Sequence, residues 1–519
     1  MKRYLLYIIA AGLLTVSCDF LEEDPKGKQP SDGFFSTPQD LDASLNSLYY
    51  IVATSQQSNN LIGTNFLSGD DISTHPASNK QSLREFDQYD VKNNNAWMQT
   101  LWEQRFKVIK AANFIINNAS RTPEVSETAI KEAIAQAHYW RAFSYFYLVT
   151  TWGPVPVMLK EEIDYEAPNE SIEDIYSLII SDLETAEEGC PVTYTKIPYF
   201  QNQVNIAVSK GAVKATLAYV YMCMAGWPMN RTEYYEKAAD KALEVIEGVE
   251  DGTYYYDLLD NFSDIHSMKM NRSNKELLLG IYYNRDRTTN ATPATDCLLE
   301  MPGGWGDTNG EIKFWKEFPE GPRKAATYFP QVMLNGTLQN WWYDTDPATR
   351  EVVAPVFMKT AEGPTRNAEF DYRDPQGCIA YGEKTIQVIR LSQVYCWYAE
   401  AVGRSGKGDK SKAVELLNAV AKRAYNPDNL PEYNAGMSYE ELAEAAYDEH
   451  GWEVAGYYWS GFATRSRDMF RTYRFKEHFE YRLQNPLIEV APGVMRNEKV
   501  PVTGSWNDSK MYAPYPLSR

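Results

Sequence analysis

Basic charge is scarce in this chain: 51 Lys and Arg stand against 70 Asp and Glu over 519 residues, a formal net charge of −19. A nucleic-acid binder needs a basic footprint to displace counterions from phosphates, and no run of Lys or Arg supplies one here. Histidine is rarer. His75, His138, His266, His450 and His478 are scattered, and no HExxH sets two of them on one helix face. Of the six cysteines, Cys18, Cys190, Cys223, Cys297, Cys378 and Cys396, none forms a CxxC, so the common zinc patterns are excluded. Neither a GxSxG elbow nor a phosphate-binding loop occurs. Gly406-Lys407-Gly408 has the wrong residue after the lysine and the wrong spacing before it. No metal, no cofactor and no catalytic residue is therefore expected. A glycosidase carboxylate pair is outside that argument, because its separation is set by the fold and not by spacing along the chain.

The first residues are of another kind. Lys2 and Arg3 precede an apolar run from Leu5 to Leu14 that is too short to span a bilayer as a mature helix. Residues 1–17 read as a secretory leader. The leader ends on Cys18 after small residues, as a bacterial lipoprotein signal does, although Thr15 stands where Leu is usual. Cys18 is the expected lipidation site, and several acyl chains hold a protein on a membrane far better than one. Residues 18–33 then form an acidic tether containing Pro and Gly.

What the chain has in plenty is aromatic surface with a polar tip, 37 Tyr and 13 Trp, residue types favoured where proteins bind ligands. Gln136 to Met158 concentrates it. Trp140, Phe143 and Tyr147 recur at helical spacing, and Trp152-Gly153-Pro154 should stop the helix because Pro154 has no N–H and disfavours a helical Gly153. Further helices are expected after Thr37-Pro38, across Trp97 to Asn117, and after Ser171 as N-cap. An internal echo follows: Leu217, Val220 and Tyr221 lead to Ala238, and Leu391, Val394 and Tyr395 lead to Ala413. That is the tetratricopeptide pattern of paired helices with small residues at the contact. Lys275 to Tyr283 reads as a short strand, and 284–381 as loop-rich.

Trp-Arg-Ala-Phe-x-Tyr-Phe-x-Leu-Val followed by Trp-Gly-Pro-Val-Pro resembles the signature helix of the RagB/SusD family. Leu101-Trp102 with Ile109 and Ala112-Asn113, Glu453 with Ala455-Gly456, the Arg467-Asp468-x-x-Arg471 cluster, and Tyr512-Ala-Pro-Tyr-Pro516 resemble its other motifs in the same order. The resemblance implies a mainly α fold of tetratricopeptide-like hairpins with a loop-rich insertion carrying short strands. Residues 34–274 would form an N-terminal helical region, and 275–519 a C-terminal region holding the ligand-binding segment 284–381. It further implies an outer-membrane lipoprotein that faces the cell surface and caps a SusC-like TonB-dependent transporter. Such a protein holds an oligosaccharide, or sometimes a peptide, without chemistry. A glycan-degrading enzyme and a pure scaffold are the rival readings. The Arg/Asp cluster is more simply a clamp than a catalytic site.

For ligand contacts the sequence favours Trp305, Trp341, Trp342 and Tyr283, with Trp97 and Asn95 from the loop before the second helix. Gly303-Gly304-Trp305-Gly306 sets a large ring on a permissive backbone. Trp341 and Trp342 are adjacent, so in an extended piece one ring packs while the other faces out. Flat rings would stack on sugar C–H faces while neighbouring polar groups bond the hydroxyls.

Overall fold

The computed structural model describes residues 33–56, 69–162, 164–194, 200–201, 204–283, 306–334, 337–343, 352–359, 361, 383–456 and 462–517. Cys18, Trp305 and most of 284–381 lie outside these. Fourteen α-helices occur among the described residues. The first seven are α1 (Pro38–Thr54), α2 (Gln81–Asp87), α3 (Ala96–Asn118), α4 (Glu127–Trp152), α5 (Ile172–Gly189), α6 (Lys210–Ala225) and α7 (Tyr234–Glu250). After them come α8 (Ile312–Glu317), α9 (Pro322–Thr327), α10 (Leu391–Ser405), α11 (Lys410–Lys422), α12 (Tyr439–Val454), α13 (Arg465–Arg471) and α14 (Phe475–Gln484). The fold is mainly α, as the sequence implies.

Helix α4 starts where Ser126 Oγ accepts the N–H of Ala129 at 3.2 Å and stops at Gly153, whose φ is +76°, one residue ahead of Pro154. Its aromatic residues are interior: Trp140 is 1% exposed, and Phe143 and Phe146 lie 5.5 and 4.7 Å from the ring of Phe462. The turn after α4 is closed from far along the chain. Ala513 N–H donates to Thr151 O at 2.8 Å, Trp152 Nε1–H to Pro514 O at 3.1 Å, and the Tyr515 hydroxyl to Pro154 O. A Cβ at position 153 would stand 3.3 Å from the Tyr512 ring. Two motifs far apart in the sequence are thus one structural joint.

The echo is a pair of helical hairpins, α6–α7 and α10–α11, with α10 packed against α7 as well as α12. Ala238 and Ala413 are buried at the contacts, and so are Tyr219, Tyr221 and Tyr395. Small side chains there let the helix axes approach. The main core runs continuously from Phe35 to Ala513 and draws on both halves of the chain.

Strands among the described residues occur only as two-stranded pairs. Four of them matter here: β1 (Ile72–Thr74), β2 (Leu277–Ile281), β3 (Thr308–Gly310) and β4 (Ile386–Arg390). β1 pairs antiparallel with β3 through Ile72 and Gly310, and β2 with β4 through Ile386 and Ile281. The strand expected between Lys275 and Tyr283 is β2, buried along its whole length. β4 runs straight into α10.

Two buried ionic knots tie the late elements. In one, Arg323 reaches Glu449 at 2.8 Å and Glu453 at 3.2 Å, Arg390 reaches Glu276 at 2.9 Å and Glu453 at 3.0 Å, and Arg423 reaches Glu276 at 2.9 Å. Three guanidinium groups meet three carboxylates, so charge balances inside the protein. In the other, Arg471 bonds Glu400 at 2.6 Å and Asp468 at 2.8 Å, while the Tyr219 hydroxyl donates to Asp468 at 3.0 Å. Burial alone would raise the Asp468 carboxyl, but His450 and Arg471 outweigh it and hold the group well below its ordinary range. The Arg/Asp cluster is a clamp. His138 is structural too, its Nδ1 2.6 Å from Asp182, and Cys190, Cys223 and Cys396 are buried free thiols.

Candidate functional site

A small satellite core sits beside the main one: Ile72, Leu83, Phe314, Phe318, Tyr328, Phe357 and Ala455, with Trp97, Trp315 and Trp452 half-buried against it. Helix α8 supplies its central rings. That helix is short, and its first N–H groups, at Ile312 and Lys313, donate to Glu498 Oε1 at 2.9 and 3.1 Å, so a residue from the far end of the chain caps it. Phe314 and Trp315 are consecutive on α8 and therefore leave it in different directions.

On the Phe314 side lies a cleft of about 380 Å³. Trp452 of α12 forms one wall, its ring centroid 4.6 Å from Phe314 and 5.0 Å from Phe318. Arg465 at the start of α13 bonds Asp70 through two parallel contacts of 2.7 and 2.8 Å. Its guanidinium lies over Tyr447 at 4.5 Å and Phe314 at 5.6 Å. Gly451 makes room for this, since a Cβ there would meet Arg465 Nη1 at 2.7 Å. Burial would raise the Asp70 carboxyl, but Arg465 outweighs it and brings the pKa below its usual value. Asp448 and Glu477 are exposed on the lining. Deeper, His478 Nε2 approaches Glu311 at 2.8 Å. Burial pushes the Glu311 carboxyl well up, and burial together with Arg482 pushes His478 down to about 4.

This is the arrangement a sugar site needs: a half-exposed ring to cover C–H faces, with hydrogen-bonding groups converging beside it. A second trench of about 380 Å³, lined by Trp102, Phe106, Met158 and Tyr165, is more apolar and has fewer carboxylate acceptors. Among the described residues no group of His, Cys, Asp or Glu is placed to hold a metal ion, and no helix is long and apolar enough to cross a membrane.

The residues favoured from sequence are not gathered into one site. Asn95 is 3% exposed and caps α3, accepting from the N–H groups of Trp97 and Met98 and donating to Glu85. Tyr283 is 2% exposed, with its hydroxyl on Ala53 O at 2.9 Å. Trp341 is 1% exposed, held edge-on by Trp315 and Trp342. These three have structural roles that leave little surface for a ligand. Trp341 and Trp342 lie in a turn just after the short strand Thr337–Gln339 rather than in an extended piece, but one ring packs and the other, Trp342, is half-exposed. Trp97 is half-exposed on the same satellite core as Trp452. Trp305 lies outside the described residues. Asp70 and Asp71 are both engaged: Asp70 by Arg465, and Asp71 by the Gly456 N–H at 2.7 Å. Trp452, Phe314 and Asp448 were not visible as site residues from sequence, because they sit in helices among ordinary core-spaced residues.

Paired helices around one continuous core, with a polar cleft at an aromatic satellite, define a tetratricopeptide-like helical protein with a ligand-sized recess. The chain belongs to the SusD/RagB family. Residues 19–222 match the family model described as starch-binding associating with outer membrane, and residues 367–518 match that of the SusD family. SusD-like protein P2 of Formosa agariphila is 26% identical over 481 residues, covering 88% of each chain. A solved structure with a xylogluco-oligosaccharide superposes with a TM-score of 0.69 at 21% identity, covering 92% of this chain and 96% of that one. Surface glycan-binding protein A from Bacteroides uniformis does so with a TM-score of 0.67 at 18% identity, covering 92% and 96%.

Proposed function

We propose that this protein is a lipid-anchored, cell-surface oligosaccharide binder that delivers its ligand to a SusC-like TonB-dependent transporter without turnover, and that the cleft beside Trp452 is its ligand site. The carrying observation is the half-exposed Trp452 ring, backed by Phe314 and Phe318 and set beside accessible acceptors. The family and its glycan-binding members support the same reading. No step of bond cleavage is needed: a sugar face covers the indole and its hydroxyls exchange water for protein partners.

Titration calorimetry against neutral oligosaccharides tests the site. Trp452→Ala should weaken binding by about 0.5–1.5 kcal/mol, roughly 2- to 12-fold, for one lost stacking contact. A folded variant that binds like the parent puts the site elsewhere. Prolonged incubation should return the oligosaccharide intact, and cleavage products would favour the enzyme reading.

A further inference from the structure

The cleft carries more negative charge than its internal partners cancel. Asp70 is matched by Arg465, and Glu311 lies 3.2 Å from Arg482 and hydrogen-bonds His478. Each lining cation is also taken: Lys313 by Glu317, Arg465 by Asp70, and Arg474 by Glu444. Two carboxylates remain after these pairings, Asp448 on α12 and Glu477 on α14. Both are exposed to the cleft, and neither has a hydrogen bond or ion pair among the described residues. The result is a recess whose lining holds two unpaired carboxylates, while each of its cations already faces a carboxylate; Arg465 Nη1, the one buried cation nitrogen there without a hydrogen bond among the described residues, is closed off from the recess by that burial.

That asymmetry bears on which glycans fit. An ionised carboxylate accepts hydrogen bonds and donates none. Sugar hydroxyls are donors, and their bonds to charged acceptors are the stronger kind. A uronate or sulfate ester brings a like charge to a wall where each guanidinium and ammonium already has a carboxylate partner. Receiving it would require breaking an existing pair or accepting repulsion in a partly dehydrated recess. We infer that the site selects neutral oligosaccharides and rejects uronate-bearing and sulfated ones, with Asp448 and Glu477 as the specificity-determining carboxylates. The inference rests on the ligand-site reading of the cleft.

The probes are xyloglucan- and laminarin-derived oligosaccharides as the neutral set and oligogalacturonides of matched length as the acidic set, titrated at low ionic strength into the full mature chain. The parent should bind at least one neutral probe ten-fold or more tightly than any oligogalacturonide. Asp448→Asn combined with Glu477→Gln should shrink that ratio ten-fold or more, and added salt should shrink it in the parent. Both changes are isosteric and at exposed positions, and a matching thermal melt verifies the fold. Oligogalacturonides bound as tightly as the neutral set overturn the inference, and so does a ratio that the double variant leaves unchanged. Trp452→Ala separates the two levels: if it weakens the parent's best ligand while the ratio ignores the carboxylates, the site stands and the selectivity falls. If it changes nothing, the site reading falls and takes the selectivity with it.

Discussion

Glu498 serves as a helix cap at an electrostatic cost. It accepts from Ile312, Lys313 and the Tyr481 hydroxyl, yet burial and the adjacent Glu311 push its carboxyl up to about 7. Burial, then Asp70, raises Asp71 to about 6. A carboxyl raised in the folded state costs stability when ionised, so the cost is complete above the folded pKa and is relieved as pH falls toward the unfolded value. For Glu498 that window runs from about 7 down to 4.5, and for Asp71 from about 6 down to 3.8. His478 opposes them, because a histidine lowered to about 4 loses stability as pH drops below 6.5. Between pH 8 and 6.5 the carboxyls act without that opposition, and the melting temperature should rise on acidification. Glu498→Gln keeps the accepting oxygen and removes the charge. It should melt above the parent at pH 8 by at most about 3 kcal/mol of stability and flatten the rise. A slope equal to the parent's would assign the titration to another group.

The residue scale is also where sequence reading reached least. Periodicity places a side chain on a face of an element, but it does not say whether a loop tryptophan meets solvent or another ring. Trp341 and Trp342 are chemically identical neighbours that both touch Trp315, yet Trp341 is enclosed among Ile312, Phe329 and Val332 while Trp342 stays half-exposed. Asn95 illustrates a different ambiguity: an Asn just before a helix is both a candidate ligand contact and a good N-cap, and here it is the cap.

At the scale of elements the sequence was far more legible, because helix ends and apolar stripes are written locally. Pro154 set the end of α4, Ser171 the start of α5, and the repeated Leu, Val, Tyr and Ala spacing marked the two hairpins. The cleft was not legible. Its walls come from Asp70, Phe314, Trp452 and Arg465, and no local pattern links positions so far apart. Helix α4 gives two quantitative expectations. Trp140→Ala should cost about 3–5 kcal/mol in urea unfolding, as buried aromatic truncations do. Gly153→Ala meets both a positive φ and the Tyr512 ring at 3.3 Å, and should cost more than the roughly 0.4–1 kcal/mol that an unstrained Gly-to-Ala change returns. A Gly153→Ala variant as stable as the parent would show the joint with the tail to be loose.

For the whole molecule, the anchor proposed at Cys18 would decide where the candidate cleft is displayed. Cys18→Ala should abolish acylation and release the protein from the outer-membrane fraction, read by immunoblot of fractionated cells. Unchanged partitioning would mean that something other than a lipid holds it. The closed turn after α4 has a consequence in time. Pro154 O receives its bond from a tyrosine 361 residues later. At a synthesis rate of about 5–20 residues per second that partner emerges roughly 20–70 s after the proline does. Until then the end of α4 has neither its lid nor its last hydrogen bonds, so the chain leaves the ribosome unfinished at its most aromatic point. A polypeptide that cannot lock early remains threadable, and under the export proposed above that delay would keep a narrow passage open.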